Sequence, residues 1–164
     1  MTAIITRSAF RETYVRPVLL GSVDGLITTF VVVAAGLASD TSRASILLIG
    51  ASSLVADGLS MGVSEALSSR AQDDIPARRA ALLGLACFLG FVVAGCAPLL
   101  GYAISQSPGS GRIVSILFFL CGLAVVGMFR AWITEKFVAS ETLEVLVLGA
   151  ASGGVAYSVA LIRV

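Results

Sequence analysis

Long apolar stretches, separated by short polar segments, dominate this chain. There are five of them, bounded by charged residues or by a turn segment, and each approaches the roughly 20 apolar residues that a membrane-spanning helix needs. None shows the period-two alternation of a strand, which argues against a β-barrel. The pattern predicts an all-α integral membrane bundle of five transmembrane helices. The predicted spans are residues 17–38, 44–67, 80–104, 113–133 and 143–162.

The polar segments between these spans are too short to form a separate soluble domain. Residues 1–16 lack the apolar core and the cleavage site of a removable signal peptide. We therefore expect a cytosolic N-terminal segment over 1–16 and one transmembrane domain over 17–164. Ser, Pro and Gly in residues 105–111 favour a turn between the third and fourth spans, and Ser140 is the expected N-cap of the fifth helix.

Lys and Arg are distributed unevenly between the two ends of the predicted bundle. Short cytosolic loops carry the excess of basic residues in membrane proteins. The richer end, called the basic end below, contains the N-terminus and the second and fourth loops. We therefore predict a cytosolic N-terminus and a C-terminus on the opposite side of the membrane. The basic end holds Arg7, Arg11, Arg16, Arg70, Arg78, Arg79 and Lys136, with Arg130 nearby, against Arg43, Arg112 and Arg163 at the other end.

The composition supports a membrane protein and narrows its chemistry. Hydrophobic residues make up 57% of the chain and charged residues 13%, with a mean hydropathy of +0.99, whereas soluble domains carry about a quarter charged residues. A net charge of +1 offers no basic surface for nucleic acid. Histidine is absent, which excludes His-assisted nucleophiles and His-ligated zinc. We do not expect an enzyme.

Three carboxylates lie within the first two predicted spans: Asp24, Asp57 and Glu65. A charged side chain at membrane depth costs a few kcal/mol and by default marks a substrate or proton path. A structural carboxylate, bonded to nearby hydroxyl groups, is the alternative. Neighbouring serines keep that alternative open for Asp57.

Asp57, Met61 and Glu65 recur at every fourth position and therefore share one stripe of a helix. From a rise of about 1.5 Å per residue, we expect Asp24 about 12 Å from the basic end, between Glu65 at about 7 Å and Met61 at about 13 Å. Carboxylates suit divalent cations, and a thioether favours transition metals. This combination predicts Fe²⁺ or Mn²⁺ as a transported substrate, with no permanently bound cofactor. The same carboxylates can accept protons when the metal leaves.

Two further groups of residues carry weaker predictions. Small residues one helical turn apart allow close helix packing, which is expected of Gly21, Gly25, Gly58 and Gly62; a role at a dimer seam or ion path is the alternative. Acids at a helix N-terminus are favoured by the helix dipole. Two such acids begin the predicted fifth helix. If these acids lie close to the two acids of the second loop, the four would form a cytosolic entrance that attracts cations. The candidate entrance residues are Asp73, Asp74, Glu141 and Glu144.

Residues 16–30, with the pattern Gly-x-x-Asp-Gly, resemble the first span of the vacuolar iron transporter family. Residues 56–69 are similar to its second span, and residues 98–102 to the end of its third. The resemblance implies a homodimer whose first spans line a central path. It also implies export of Fe²⁺, often Mn²⁺, from the cytosol in exchange for H⁺, across a cell inner membrane or a vacuolar-type membrane. Asp24, Met61 and Glu65 match metal-path positions, and Asp57 matches a position that is commonly acidic.

The sequence departs from the family pattern in two places. Residues 68–79 replace the long metal-binding helices of the vacuolar members, so the chain resembles the short form without a cytosolic metal-binding domain. The usual Gly-Glu-aromatic step reads Ser64-Glu65-Ala66. Two other readings remain: a membrane scaffold or assembly subunit without transport activity, and an intramembrane protease that uses Asp24 and Asp57 as a pair.

Overall fold

The computed structural model of the chain is a bundle of five long helices. It describes the backbone of residues 2–73, 75–135 and 137–160 and the side chains of residues 13–72, 75–135 and 137–159. The helices are α1 (Thr2–Ala38), α2 (Arg43–Asp73), α3 (Ala77–Ala103), α4 (Pro108–Thr134) and α5 (Val138–Ala160). Each contains a segment long and apolar enough to cross a membrane. The prediction of an all-α bundle of five membrane-spanning helices is confirmed.

The lateral surface of the bundle is apolar. Large aliphatic side chains that would be buried in a soluble protein of this size point outward, among them Leu48, Val93 and Val155, each about two-thirds exposed or more. In a bilayer these side chains contact lipid, which is as apolar as they are. Burial within the bundle therefore depends on close helix packing more than on exclusion of water.

Helix α3 packs against both α1 and α2 through glycines. It runs parallel to α1, and Thr13 and Arg79, which form a hydrogen bond, are separated by 66 residues. The same separation relates successive α1–α3 contacts, so the two helices stay in register over four turns. The pairs that meet are Thr13–Arg79, Gly21–Cys87, Gly25–Phe91 and Thr29–Gly95.

The α2–α3 pair is antiparallel and equally close. A Cβ atom added at Gly62 would lie 2.8 Å from the carbonyl oxygen of Gly84. One added at Gly58 would lie 3.1 Å from the ring of Phe88 and 3.2 Å from that of Phe91. All four glycines singled out in the sequence therefore face α3 within one chain.

Helices α4 and α5 cover another side of α1. The ring of Phe30 on α1 stacks on Phe119 of α4 at a centroid distance of 4.5 Å, and Tyr157 of α5 lies 6.1 Å from Phe30. Leu26 and Leu123 are fully buried in the same cluster. Helix α1 thus contacts every other helix of the bundle.

At the end opposite the basic end, Arg43, the first residue of α2, connects α2 to the end of α3. Its guanidinium donates hydrogen bonds to the carbonyl oxygens of Ala103 and Ser105, where α3 ends. The same group lies 5.9 Å from the ring centroid of Tyr102. A cation at a helix C-terminus is favoured by the helix dipole, so Arg43 joins the short α1–α2 turn to the end of α3.

The starts of α4 and α5 differ from the turn and the N-cap that the sequence predicts. Helix α4 begins at Pro108, inside the predicted turn, because Ser107 and Ser110 form a capping box and Pro occupies the first helical position. Helix α5 begins at Val138. Ser140 lies in its first turn, where its hydroxyl donates to the carbonyl oxygen of Phe137 at 2.9 Å, and it is therefore not the N-cap.

Candidate metal site and the cleft beside it

Two Asp-Gly dipeptides, one on α1 and one on α2, lie on either side of Phe91. A Cβ atom at Gly25 would lie 2.3 Å from the carbonyl oxygen of Phe91, and Gly58 contacts the ring of the same residue. The preceding residues, Asp24 and Asp57, are therefore at one level of the bundle. Their carboxyl groups are close enough to interact electrostatically.

This arrangement differs from the height estimated by counting residues from the helix ends. That estimate placed Asp24 between Glu65 and Met61, whereas the structure places it level with Asp57. Counting assumed that Arg16 and Arg70 lie at the same height. The true register is set by the contacts that Gly25 and Gly58 make with α3.

Met61 and Glu65 follow Asp57 along α2 towards the basic end. Both side chains are half-buried. Glu65 accepts a hydrogen bond from the hydroxyl of Ser69 at 3.2 Å. Asp57, Met61 and Glu65 therefore lie along one helix, as expected, and Asp57 is the one furthest from the basic end.

Cys87 of α3, which lies in an apolar run of the sequence, is also part of this region. It is fully buried, and its thiol is within electrostatic range of both Asp24 and Glu65. Its place next to the acids follows from the insertion of α3 against α1 and α2. Nothing in the spacing of the cysteines indicates that contact.

Within the residues that the structure describes, no three Asp, Glu, Cys or His side chains converge closely enough to hold a metal ion. Asp24 is exposed and Asp57 is half-buried. The expected cluster of Asp24, Met61 and Glu65 includes a thioether ligand and stays a prediction.

Asp24 opens onto a cleft of about 1000 Å³ between α1, α4 and α5, called the Asp24 cleft below. Most of its wall is apolar, and the charged side chains on it are Arg16, Asp24, Arg130 and Glu135. Arg16, Arg130 and Glu135 mark its side nearer the basic end. The cleft is lined by Val15, Arg16, Leu19, Leu20, Val23, Asp24, Ile27, Val126, Arg130, Ile133, Thr134, Glu135 and Val145.

Two of the four candidate entrance acids lie beside this cleft, and both bind Arg130. The Nε atom of Arg130 lies 2.9 Å from Glu141, and its Nη1 atom lies 3.1 Å from Glu144. Asp73 ends α2, but its side chain lies outside the described residues, as does Asp74 altogether. An entrance formed by all four acids stays a prediction.

Arg130 itself was counted in the sequence only as a charge near the basic end. The signal that could have identified it is its position inside a predicted span, four residues after Val126 in an otherwise apolar run. An ionisable residue within a span calls for a partner, and here both partners come from the first turns of α5.

Comparison with known proteins finds relatives in the same family that the sequence motifs resemble. The vacuolar iron transporter of Toxoplasma gondii is 39% identical over 61 residues, which are 37% of this chain and 20% of that protein. The vacuolar iron transporter of Plasmodium berghei is 38% identical over 61 residues, 37% of this chain and 22% of that protein. The matched region spans about a fifth of the length of these curated relatives.

The family assignment rests on a broader match than these relatives provide. The model of the VIT family matches residues 15–82 and 75–161, which together include α1 from Val15 onward and all of α2 to α5. Helix α2 ends at Asp73 and α3 begins at Ala77, so no domain is inserted between them. On this evidence the chain belongs to the VIT family, the vacuolar iron transporter family, in a form without a metal-binding domain between its second and third helices.

Proposed function

We propose that this protein transports divalent transition metal, Fe²⁺ and also Mn²⁺, out of the cytosol in exchange for H⁺. The observation that carries the proposal is the pair Asp24 and Asp57, held level within the membrane-spanning region, with Asp24 open to a cleft from the basic end. Acids at this depth are costly, and by default they mark an ion or proton path. The membership of the VIT family supports the same function.

The proposed ligands are Asp24, Met61 and Glu65, with Asp57 as a further acid. Hard carboxylate oxygens with one soft thioether favour Fe²⁺ or Mn²⁺ over Mg²⁺ or Ca²⁺. The metal enters as substrate and leaves no permanently bound cofactor. After it leaves, the carboxylates take up protons, and the charge of the path is balanced on the return step.

We further propose that the working unit is a homodimer in which the first helices of two copies line the path. The support is that Asp24 is exposed and that, among the described residues of one copy, no three carboxylate or thiol side chains converge on a metal position. A second copy would bring a second Asp24 to the same level. In this proposal the basic end faces the cytosol, and the host membrane is a vacuolar-type membrane or a cell inner membrane.

The test is transport by the purified protein in liposomes with an imposed pH gradient, with Fe²⁺, Mn²⁺, Co²⁺ and Zn²⁺ compared. Asp24→Asn, Met61→Ala and Glu65→Gln should each reduce the rate. For Asp24→Asn we expect a loss of roughly tenfold or more, because a nearby charge at low dielectric is worth more than the about 1.4 kcal/mol that corresponds to tenfold.

The matched control is Asp40→Asn, which removes a carboxylate from the exposed α1–α2 turn at the opposite end. Asn also tolerates the left-handed backbone of Asp40, whose φ is 52°. If the parent moves no metal, the scaffold alternative is favoured instead. If all three path variants move metal as fast as the parent, the site assignment is wrong.

A further inference from the structure

The only arginine that α4 contributes to the wall of the Asp24 cleft is held by two carboxylates of α5. Arg130 lies on that wall, with Glu141 at 2.9 Å and Glu144 at 3.1 Å. The Glu141 side chain is 8% exposed, that of Arg130 28%, and that of Glu144 50%. The three side chains, called the Arg130 triad below, thus extend from the packed interior to the surface.

The charge of the triad affects cation binding because other charged side chains also face the Asp24 cleft. Asp24 and Glu135 are its acids and Arg16 its other base. Without Glu141 and Glu144, two arginines would flank the approach to Asp24. An uncompensated guanidinium there would repel an incoming divalent cation and would compete with it for the Asp24 carboxylate.

One carboxylate would balance the charge of Arg130. The second leaves the triad with a net charge of −1, so the wall nearer the basic end attracts cations although it contains an arginine. Clefts with low-dielectric walls focus such fields and raise the local concentration of an attracted ion. The apolar lining of the Asp24 cleft meets that condition.

We propose that Glu141 and Glu144 act as positioning residues that neutralise Arg130, and that this makes the Asp24 cleft the cytosolic access route for the divalent metal. The inference rests on the proposed transport function and adds to it a route and a charge requirement. Access runs along the α4–α5 side of α1, where no acid of the α2 stripe lies.

The expected effects follow from Coulomb's law. A divalent ion about 10 Å from one unit charge at water-like dielectric gains or loses affinity by about fourfold. Arg130→Gln makes the triad more negative and should lower the KM for metal by about fourfold. The double variant Glu141→Gln/Glu144→Gln adds two positive units and should raise KM by roughly fifteenfold.

The triple variant Arg130→Gln/Glu141→Gln/Glu144→Gln is the decisive one, because it removes every ionic contact of the triad. It is more positive than the parent by one unit, so KM should rise only by about fourfold, below that of the double variant. Removing an arginine thereby restores capture that was lost by removing acids. The shifts should fall on KM rather than kcat and should shrink at high ionic strength.

The measurement is metal flux into proteoliposomes at low and high salt. The protein is oriented so that its basic end faces the added Mn²⁺. Arg112→Gln and Asp40→Asn remove one charge each at the opposite end and serve as matched controls. Folded protein is quantified by monodisperse elution, so that flux is expressed per folded molecule.

Three results would overturn the inference. One is a triple variant with a KM at or above that of the double variant. Another is a loss of flux in Arg130→Gln that is as large as in the double variant. Such a loss is expected if the triad is only a structural link between α4 and α5. The third is unchanged KM in all variants while Asp24→Asn remains defective, and this result leaves the transport function intact. Normal flux by Asp24→Asn would instead refute the site assignment itself.

Discussion

Replacement of Gly25 by alanine tests whether contact between α1 and α3 sets the position of Asp24. The added Cβ would lie 2.3 Å from the carbonyl oxygen of Phe91 and 2.9 Å from its carbonyl carbon. Ordinary contact begins near 3.4 Å, so the two backbones must separate by about 1 Å. A gap of that size removes a quarter to a half of the dispersion energy of the contacts that it opens.

The magnitude follows from two opposing terms. Overpacking a close contact costs about 1–3 kcal/mol, and the upper end applies because both clashing atoms belong to the backbone. Alanine recovers up to about 1 kcal/mol through its higher helix propensity. We therefore expect Gly25→Ala to lower the free energy of unfolding by about 2 kcal/mol. Gly154→Ala is the matched control, because an added Cβ there meets nothing within 4 Å.

The assay is reversible unfolding in mixed micelles, followed by helicity, for the parent and both variants. Gly154→Ala should be as stable as the parent or up to about 1 kcal/mol more stable. Equal stability of Gly25→Ala and Gly154→Ala would refute the reasoning, because it would mean that α1 and α3 are not in backbone contact at Phe91. A destabilised but folded Gly25→Ala should also transport metal more slowly, since the separation moves Asp24 relative to Asp57.

Two other predictions concern the ends and the core of the bundle. Arg43→Ala should lower the free energy of unfolding by about 1–2 kcal/mol, because the carbonyl oxygens of Ala103 and Ser105 lose a charged donor. The control Arg112→Ala should lower it by less than about 0.5 kcal/mol. Equal effects of the two variants in the same micelle assay would contradict the contact between Arg43 and the end of α3. Phe119→Ala should cost about 3–5 kcal/mol, because its ring is 3% exposed and stacked on Phe30, and Phe137→Ala, at 78% exposure, should leave the unfolding transition within about 0.5 kcal/mol of the parent.

The five helices could be predicted from the sequence because charged residues bound most of the apolar stretches, and the turn residues 105–111 separate the third from the fourth. The start of α4 could not be placed as well, since Ser107 and Pro108 are as typical of a turn as of a helix N-terminus. The capping box decides between the two. The level of Asp24 was missed for a different reason: it depends on Phe91, a residue on a third helix whose position no local pattern reveals. The pairing of Arg130 with α5 is likewise a tertiary contact.

The two Asp-Gly dipeptides show how packing and chemistry share one segment. Successive residues of a helix point about 100° apart, so when a glycine faces α3 the preceding aspartate points away from it. Close backbone contact at Gly25 fixes the position of α1 against α3, so the backbone of Asp24 cannot move away from Asp57 without breaking that contact. Two acids held level in this way repel each other unless a cation or a proton lies between them. The packing of α3 therefore creates a charge requirement that the proposed exchange of a metal ion for protons would satisfy.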